Sequence, residues 1–199
     1  MSLILSLSIF FFSIVIHEYS HGWVAYKLGD PTAKYEGRLT LNPLAHIDPI
    51  GTVLLPIMLA IIHAPIFGWA KPVPINFWNL RNPRRDMIWV GLSGPCANIL
   101  FALLLSLALR LNINYPLLLI EIFKAAILIN LVLAIFNLLP IPPLDGSRVL
   151  MGILPRELAM QYMQLERYGI IIIILFLYLR LFDYLVWPVV QALASLLGV

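Results

Sequence analysis

The chain has 199 residues, 61% of them hydrophobic and only 12% charged, whereas a soluble domain carries about a quarter charged residues. That balance excludes a water-soluble globular protein and leaves an integral membrane protein. The net charge of +3 comes from 13 Lys and Arg that are scattered rather than gathered into a basic helix or stripe, so nucleic acid is not an expected partner. A single cysteine, Cys96, allows neither an internal disulfide nor a multi-cysteine metal site.

A helix needs about 20 mostly apolar residues to cross the hydrocarbon of a bilayer. The first candidate covers residues 2–28, interrupted only by His17-Glu18-Tyr19-Ser20-His21. It has no basic n-region and no small-residue cleavage site, and so reads as a retained span. Residues 33–41, centred on Gly37, predict a small hairpin after the first helix. Residues 50–67 form a short apolar segment flanked by Pro49 and Pro65, with Pro56 inside it. Residues 67–86, with Trp69, Trp78 and several prolines, read as an extended interfacial loop, the tryptophans serving as anchors. Further spans are expected at 87–109 and 115–139, the latter running into Pro140-Ile141-Pro142-Pro143-Leu144-Asp145-Gly146. Residues 147–169 mix charged and apolar side chains and read as a surface helix. Residues 170–197 give a last membrane helix, or two short ones if Arg180 and Asp183 mark a break. The expected fold is an all-α polytopic membrane protein with about four full spans, one re-entrant or short segment at 50–67 and the small hairpin. Residues 1–169 would be the core and 170–199 a C-terminal helix or broken pair.

His17-Glu18-Tyr19-Ser20-His21 matches H-E-x-x-H. On a helix, histidines at i and i+4 share a face and can hold one zinc ion, and the Glu beside them can reach a metal-bound water as general base. Three ionisable groups inside an apolar span are costly, which marks them as functional. A catalytic zinc takes three protein ligands. Cys96, His46, Asp48 and His63 are open as the third. Asp145 is the strongest, because the prolines at 140, 142 and 143 prevent regular helix around it. Irregular backbone and a carboxylate at membrane depth both need partners. A membrane zinc carrier or scaffold would use the same ligands without needing Glu18, and a membrane peptidase for soluble peptides would place them at the surface.

Four pieces in order carry a resemblance: His17 to His21; Asn42-Pro43-Leu44-Ala45-His46-Ile47-Asp48-Pro49; Gly94-Pro95-Cys96-Ala97-Asn98; and Asn137 through Gly146. With Phe67-Gly68-Trp69-Ala70-Lys71-Pro72-Val73-Pro74 added, the chain resembles the site-2 proteases, intramembrane zinc metalloproteases of peptidase family M50, in their short prokaryotic form without a PDZ or CBS domain. The resemblance implies a zinc metalloendopeptidase with one Zn2+ per chain, held by His17, His21 and Asp145. Glu18 would be the catalytic base, and transmembrane segments of other proteins the substrates. Asn98 is placed either to donate to the oxyanion or substrate backbone or to bond between helices. His46 and Asp48 are candidates for a substrate loop or an outer shell, with turn capping as the plainer role. Gly37 and Leu39 would lie on a strand that pairs with unwound substrate.

If the His pair near the end of the first helix and Asp145 after the 115–139 span share one zinc, those helices run parallel. One of the two segments between them is then incomplete, most naturally 50–67. That topology puts ten of the 13 Lys and Arg on one side, with Arg110 and Lys124 opposite and Arg180 within a span. By the positive-inside rule the crowded side is cytoplasmic. The expected placement is a prokaryotic inner membrane, N-terminus outside and active site toward the cytoplasmic face.

Overall fold

The structure is a computed structural model and describes residues 3–54, 58, 61, 71–111 and 113–199. Within it α1 spans Leu3–Leu28, α2 Thr32–Tyr35, α3 Pro83–Leu109, α4 Leu117–Asn137, α5 Asp145–Ile153, α6 Arg156–Met163, α7 Gly169–Tyr178 and α8 Trp187–Leu197. Single tight turns at Pro43–His46, Phe77–Asn79 and Gln164–Tyr168, and wide helical turns at Pro49–Leu54 and Phe182–Val186, join them. Among the described residues Pro83–Leu109, Leu117–Asn137 and the continuous run Arg156–Tyr178 are long and apolar enough to cross a membrane. At 26 residues α1 has the length as well, about 39 Å at the helical rise. The chain is a helical membrane protein. Most of the expected segment 50–67, together with His63 and Trp69, lies outside the described residues.

α3 is the axis of the fold and packs against α1, α4 and α5. Pro83 occupies its first turn, where a missing N–H costs nothing. The Asp86 carboxylate accepts the Asn82 backbone N–H at 2.8 Å and caps the same end. The larger core cluster joins Ala102 from α3, Ile127 and Leu131 from α4, Phe176 from α7, Val186 from the wide turn Phe182–Val186, and Val190 and Ala194 from α8. A smaller cluster of Ala25, Leu80 and Val90 joins the end of α1 to the start of α3. Two glycines on α3 let its neighbours approach. A Cβ at Gly91 would meet the Asp145 carbonyl oxygen at 3.0 Å, and one at Gly94 would lie 2.5 Å from His21 Nε2 and 2.6 Å from His17 Nε2. α1 therefore crosses α3 with both imidazoles against bare backbone, as small residues at membrane helix crossings permit.

The expected hairpin at 33–41 is not formed, and no described residue is in a strand. Instead Pro31 and Asp30 start α2, and Gly37 ends it. The Gly37 N–H bonds to Lys34 O at 3.1 Å and the Arg38 N–H to Ala33 O at 2.8 Å, the double bond pattern of a helix closed by a left-handed glycine. Gly37 has φ 65°. A lone glycine between polar and apolar residues serves a helix end as well as a hairpin turn, and here it closes the helix that begins after Pro31. The expected surface helix at 147–169 is likewise divided, because Pro155 stops α5 from running into α6. Near 180 the chain breaks into two short helices. Arg180 takes the left-handed φ of 55°, and Pro188 sits in the first turn of α8.

Asp30 pins the polar end of the bundle. Its Oδ1 accepts from the Thr32 N–H at 3.1 Å, the Thr32 hydroxyl and the Asn79 amide at 3.0 Å, and its Oδ2 from the Asn76 N–H at 2.7 Å. Burial works against ionising this carboxyl, but the donors outweigh it and hold it below the usual carboxylate range. A depressed carboxyl contributes stability that is complete above the unfolded value of about 3.9 and is lost as pH falls through the lower folded value. Asp30→Ala, which strands these donors, is expected to destabilise the protein by about 3 kcal/mol, read as a lower melting temperature in detergent. That deficit should shrink below pH 4. Gly94→Ala should leave the helical content intact yet weaken divalent-metal binding by on the order of a hundredfold, measured by chelator competition, because its methyl group displaces both imidazoles.

Candidate metal centre

The centre begins with one turn of α1. His17 and His21 project from one face, their ring centroids 4.6 Å apart, and each is only 6% exposed. Ser13 and Ser20 on the same helix donate to backbone carbonyls one turn earlier, at 2.9 and 2.8 Å, so neither adds a free polar group to the apolar surroundings. The third residue arrives from α4 and the turn after it. Proline at 140, 142 and 143 ends the helix and carries the chain across to α5, whose first residue is Asp145. Gly146 is required there, since a Cβ would lie 2.2 Å from the Leu138 carbonyl oxygen.

Asp145 Oδ2 lies 2.9 Å from His17 Nε2 and 3.2 Å from His21 Nε2. One ligand atom from each of the three falls within 4.8 Å of the others, and no further such group occurs among the described residues. Two imidazole nitrogens and one carboxylate oxygen are the donor set of an open catalytic zinc site. The ring orientation fits as well. His21 Nδ1 donates to the Val90 carbonyl at 2.7 Å, and His17 Nδ1 faces Asn98 Oδ1 at 2.5 Å. Both Nε2 atoms are thereby turned toward Asp145, the arrangement in which the far ring nitrogen is held and the near one is free to ligate. The absent side chain at Gly94 leaves the room that this cradle needs.

Glu18 stands beside the cluster. Its Oε2 accepts the Val73 backbone N–H at 2.7 Å. Val73 is buried and sits in an irregular strap fixed from two sides. Arg38 Nη2 donates to the carbonyls of Lys71, at 2.6 Å, and Pro72, at 3.2 Å, and the Lys71 N–H reaches His46 O at 2.9 Å. His17 and Glu18 line one wall of a cavity of about 460 Å³, the rest of which is Phe10 and Ile14 of α1, Val132, Leu133, Phe136 and Asn137 of α4, and Leu177 and Phe182. An apolar chamber between membrane helices thus opens directly onto the polar cluster.

The other candidates are placed apart from the cluster or are occupied. Asn98 is fully buried; Oδ1 is taken by His17, and Nδ2 donates to Asn130 Oδ1 at 2.6 Å and Ser13 O at 3.2 Å. Both amide hydrogens are taken in this arrangement, and Asn98 bonds between helices behind His17. His46 is buried and donates to Thr40 O at 2.9 Å, and Asp48 accepts the Gly51 N–H at 2.6 Å, so both organise their own loop. Gly37 is exposed with open space around it, whereas Leu39 leans on α1 at Gly22, next to His21. Cys96 is exposed on α3 and does not join the cluster of His17, His21 and Asp145. Asn130 escaped the sequence reading. Its signal was an amide in the middle of the apolar run of α4, between Lys124 and Asn137, which a membrane helix does not carry without a partner.

The comparisons with known proteins agree with this chemistry. The model of peptidase family M50 matches residues 113–179, which include Asp145. The chain is 38% identical over 188 residues to a Bacillus subtilis protein named "Putative zinc metalloprotease YwhC", covering 90% of this chain and 83% of that one. It is 34% identical over 140 residues to Mycobacterium tuberculosis "Putative zinc metalloprotease Rip2", covering 69% of this chain and about half, 52%, of the relative. It is 30% identical over 151 residues to "Zinc metalloprotease MJ0392" of Methanocaldococcus jannaschii, covering 74% of this chain and 33% of the relative. No solved structure matches the chain. With a relative so similar along nearly the whole chain, a zinc-type donor set at one helix crossing and membrane-length apolar helices around it, the chain belongs to peptidase family M50, the site-2 protease family, and is a zinc metalloprotease of the membrane.

Proposed function

We propose that this protease is an intramembrane endopeptidase that cuts peptide bonds within or beside the transmembrane segments of other membrane proteins. The observation that carries this reading is the position of Glu18 and His17 on the wall of a chamber whose other lining residues, Asn137 apart, are apolar and come mostly from α1, α4 and α7. A chamber of that lining receives an apolar segment more readily than a soluble peptide.

In this reading His17, His21 and Asp145 hold the zinc. Zinc bound there supplies Lewis acidity toward a carbonyl and brings the pKa of a water to about 7. Glu18 is the general base. The Val73 N–H fixes Oε2, which orients the carboxylate and leaves Oε1 to take the proton of the attacking water and pass it to the leaving amine. Asn137, a polar group on the chamber wall, marks the water route. A substrate helix must unwind before its carbonyl can be attacked, so helix-breaking residues in the substrate promote cleavage. Gly37 and Leu39 remain the segment over which an unwound substrate would pass, as loop rather than strand. His46 and Asp48 shape the loop that follows.

The same reading sets the topology. α1 and α4 run parallel so that the end of one and the turn after the other meet at one site. This makes α1, α3, α4 and the C-terminal run the full spans and 50–67 a shallow or re-entrant segment. The N-terminus is then outside and the site lies toward the cytoplasmic face of a prokaryotic inner membrane, with ten of the 13 Lys and Arg on that side. Residues 1–169 form the catalytic core and 170–199 a broken C-terminal pair.

Zinc content and cleavage of a model transmembrane substrate, measured together in detergent, test the proposal. Wild type and Glu18→Gln should each carry about one zinc, and Glu18→Gln should lose at least about a hundredfold in turnover. Asp145→Ala should bind zinc at least about tenfold more weakly. Zinc retained by Glu18→Gln with turnover unchanged would remove Glu18 as base. Wild-type cleavage of soluble peptides but of no helix-destabilised membrane substrate would overturn the intramembrane reading.

A further inference from the structure

Behind His17 runs a chain of buried hydrogen bonds whose directions can be assigned from its ends. Ser13, Asn98 and Asn130 are exposed by 0%, 0% and 0%, and they belong to three different helices, α1, α3 and α4. The Ser13 hydroxyl donates to Ile9 O at 2.9 Å, so its oxygen is an acceptor toward Asn130. Asn130 Nδ2 donates to that oxygen at 2.9 Å and to Ala126 O at 2.8 Å. A carbonyl can only accept, and this forces the Asn130 amide to present Oδ1 to Asn98. Asn98 Nδ2 donates to Asn130 Oδ1 at 2.6 Å and to a second carbonyl, Ser13 O, at 3.2 Å. Flipping either amide would set oxygen against oxygen among fully buried groups, so each has one arrangement. The atom left facing His17 Nδ1, at 2.5 Å, is therefore Asn98 Oδ1. Nδ1 must carry a proton to meet it, and the lone pair is then on Nε2.

We propose that Asn130 and Ser13 are positioning residues of the metal centre: acting through Asn98, they lock His17 in the Nδ1–H tautomer with Nε2 aimed at the zinc. They touch neither the metal nor the substrate. His21 Nδ1 meets the Val90 carbonyl at 2.7 Å, a fixed backbone acceptor, with the Ser93 hydroxyl 3.1 Å away and itself donating to Val90 O. His17 faces a side-chain amide that could rotate, and the relay removes that freedom. It also ties the ligand on α1 to α4, the helix whose end delivers Asp145.

The test assumes that His17 is a zinc ligand, as proposed above, and separates the two claims. It uses the zinc-loaded full chain in detergent micelles, comparing wild type, Asn130→Leu and Asn130→Asp by chelator competition and by 15N NMR of labelled histidine. Wild type should show His17 bound through Nε2, with an Nδ1 proton that exchanges slowly with solvent. Asn130→Leu has nearly the same shape but no acceptor for Asn98. It should lose that protection and bind zinc about tenfold more weakly. Asn130→Asp, as a neutral carboxyl, restores an acceptor for Asn98 and a donor for Ala126 O, and should recover most of both. A relay that only glued the helices together would lower thermal stability in Asn130→Leu while leaving the protected Nδ1 proton and the affinity of the folded fraction unchanged, and that result overturns the proposal. Wild-type His17 bound through Nδ1 overturns it without any variant. If Asn130→Leu does not fold, Ser13→Ala decides: faster Nδ1 exchange at retained zinc supports the relay and unchanged exchange overturns it. A wild-type chain that binds no zinc fails the metal reading itself, and the relay with it.

Discussion

Everything in this protein depends on how closely α1 and α3 cross. Two imidazoles must point into the bundle, and a carboxylate carried by a different part of the chain must meet them. Helix packing at ordinary distance would fill that space with side chains. The bare Cα of Gly94 opens it, since any Cβ there would overlap both rings. On the same helix Gly91 admits the backbone of Asp145, and Gly146 lets the first turn of α5 tuck under the end of α4. The cluster of His17, His21 and Asp145 is a consequence of three missing side chains as much as of the three residues present.

The second constraint is the cost of polarity in an apolar interior. Unpaired buried polar groups cost several kcal/mol where no water can reach them. The bundle meets this by closing its polar atoms into directed chains that end on backbone carbonyls. Ser13, Asn130 and Asn98 form one such chain, and it terminates on the histidine that needs orientation. Asp30 does the equivalent at the polar end, gathering donors from α2 and from residues 76–79. Those residues follow directly on the strap whose Val73 N–H holds Glu18. Stability and site geometry therefore share the same hydrogen bonds.

Much of the chemistry was legible in the linear order of residues. Histidines at i and i+4 inside an apolar run must share a helix face, and a glutamate between them must lie beside that face. A proline-rich turn must end the helix before Asp145. These follow from local geometry alone, and so did the membrane class, which composition decides. The break near Arg180 was readable only as an alternative, since an i, i+3 charge pair suits both a continuous helix and an interrupted one.

The tertiary structure decided what depends on distance between segments. Only the crossing of α1, α3 and α4 shows that both Asn98 Nδ2 hydrogens are spent, on Ser13 O and Asn130 Oδ1, and that Oδ1 faces His17. Only the packing of α4 brings Asn130, by sequence an amide within an apolar run, into the same chain of bonds. Gly37 was ambiguous because a left-handed glycine closes a helix as readily as a hairpin, and the backbone bonds of Gly37 and Arg38 to Lys34 and Ala33 show that it closes a helix. The helical membrane class and the shared helix face of His17 and His21, with Glu18 beside them, were thus determined by the sequence itself, through composition and periodicity. Which polar groups support the ligands was decided by the fold, because hydrogen-bond partners three helices apart leave no periodic trace.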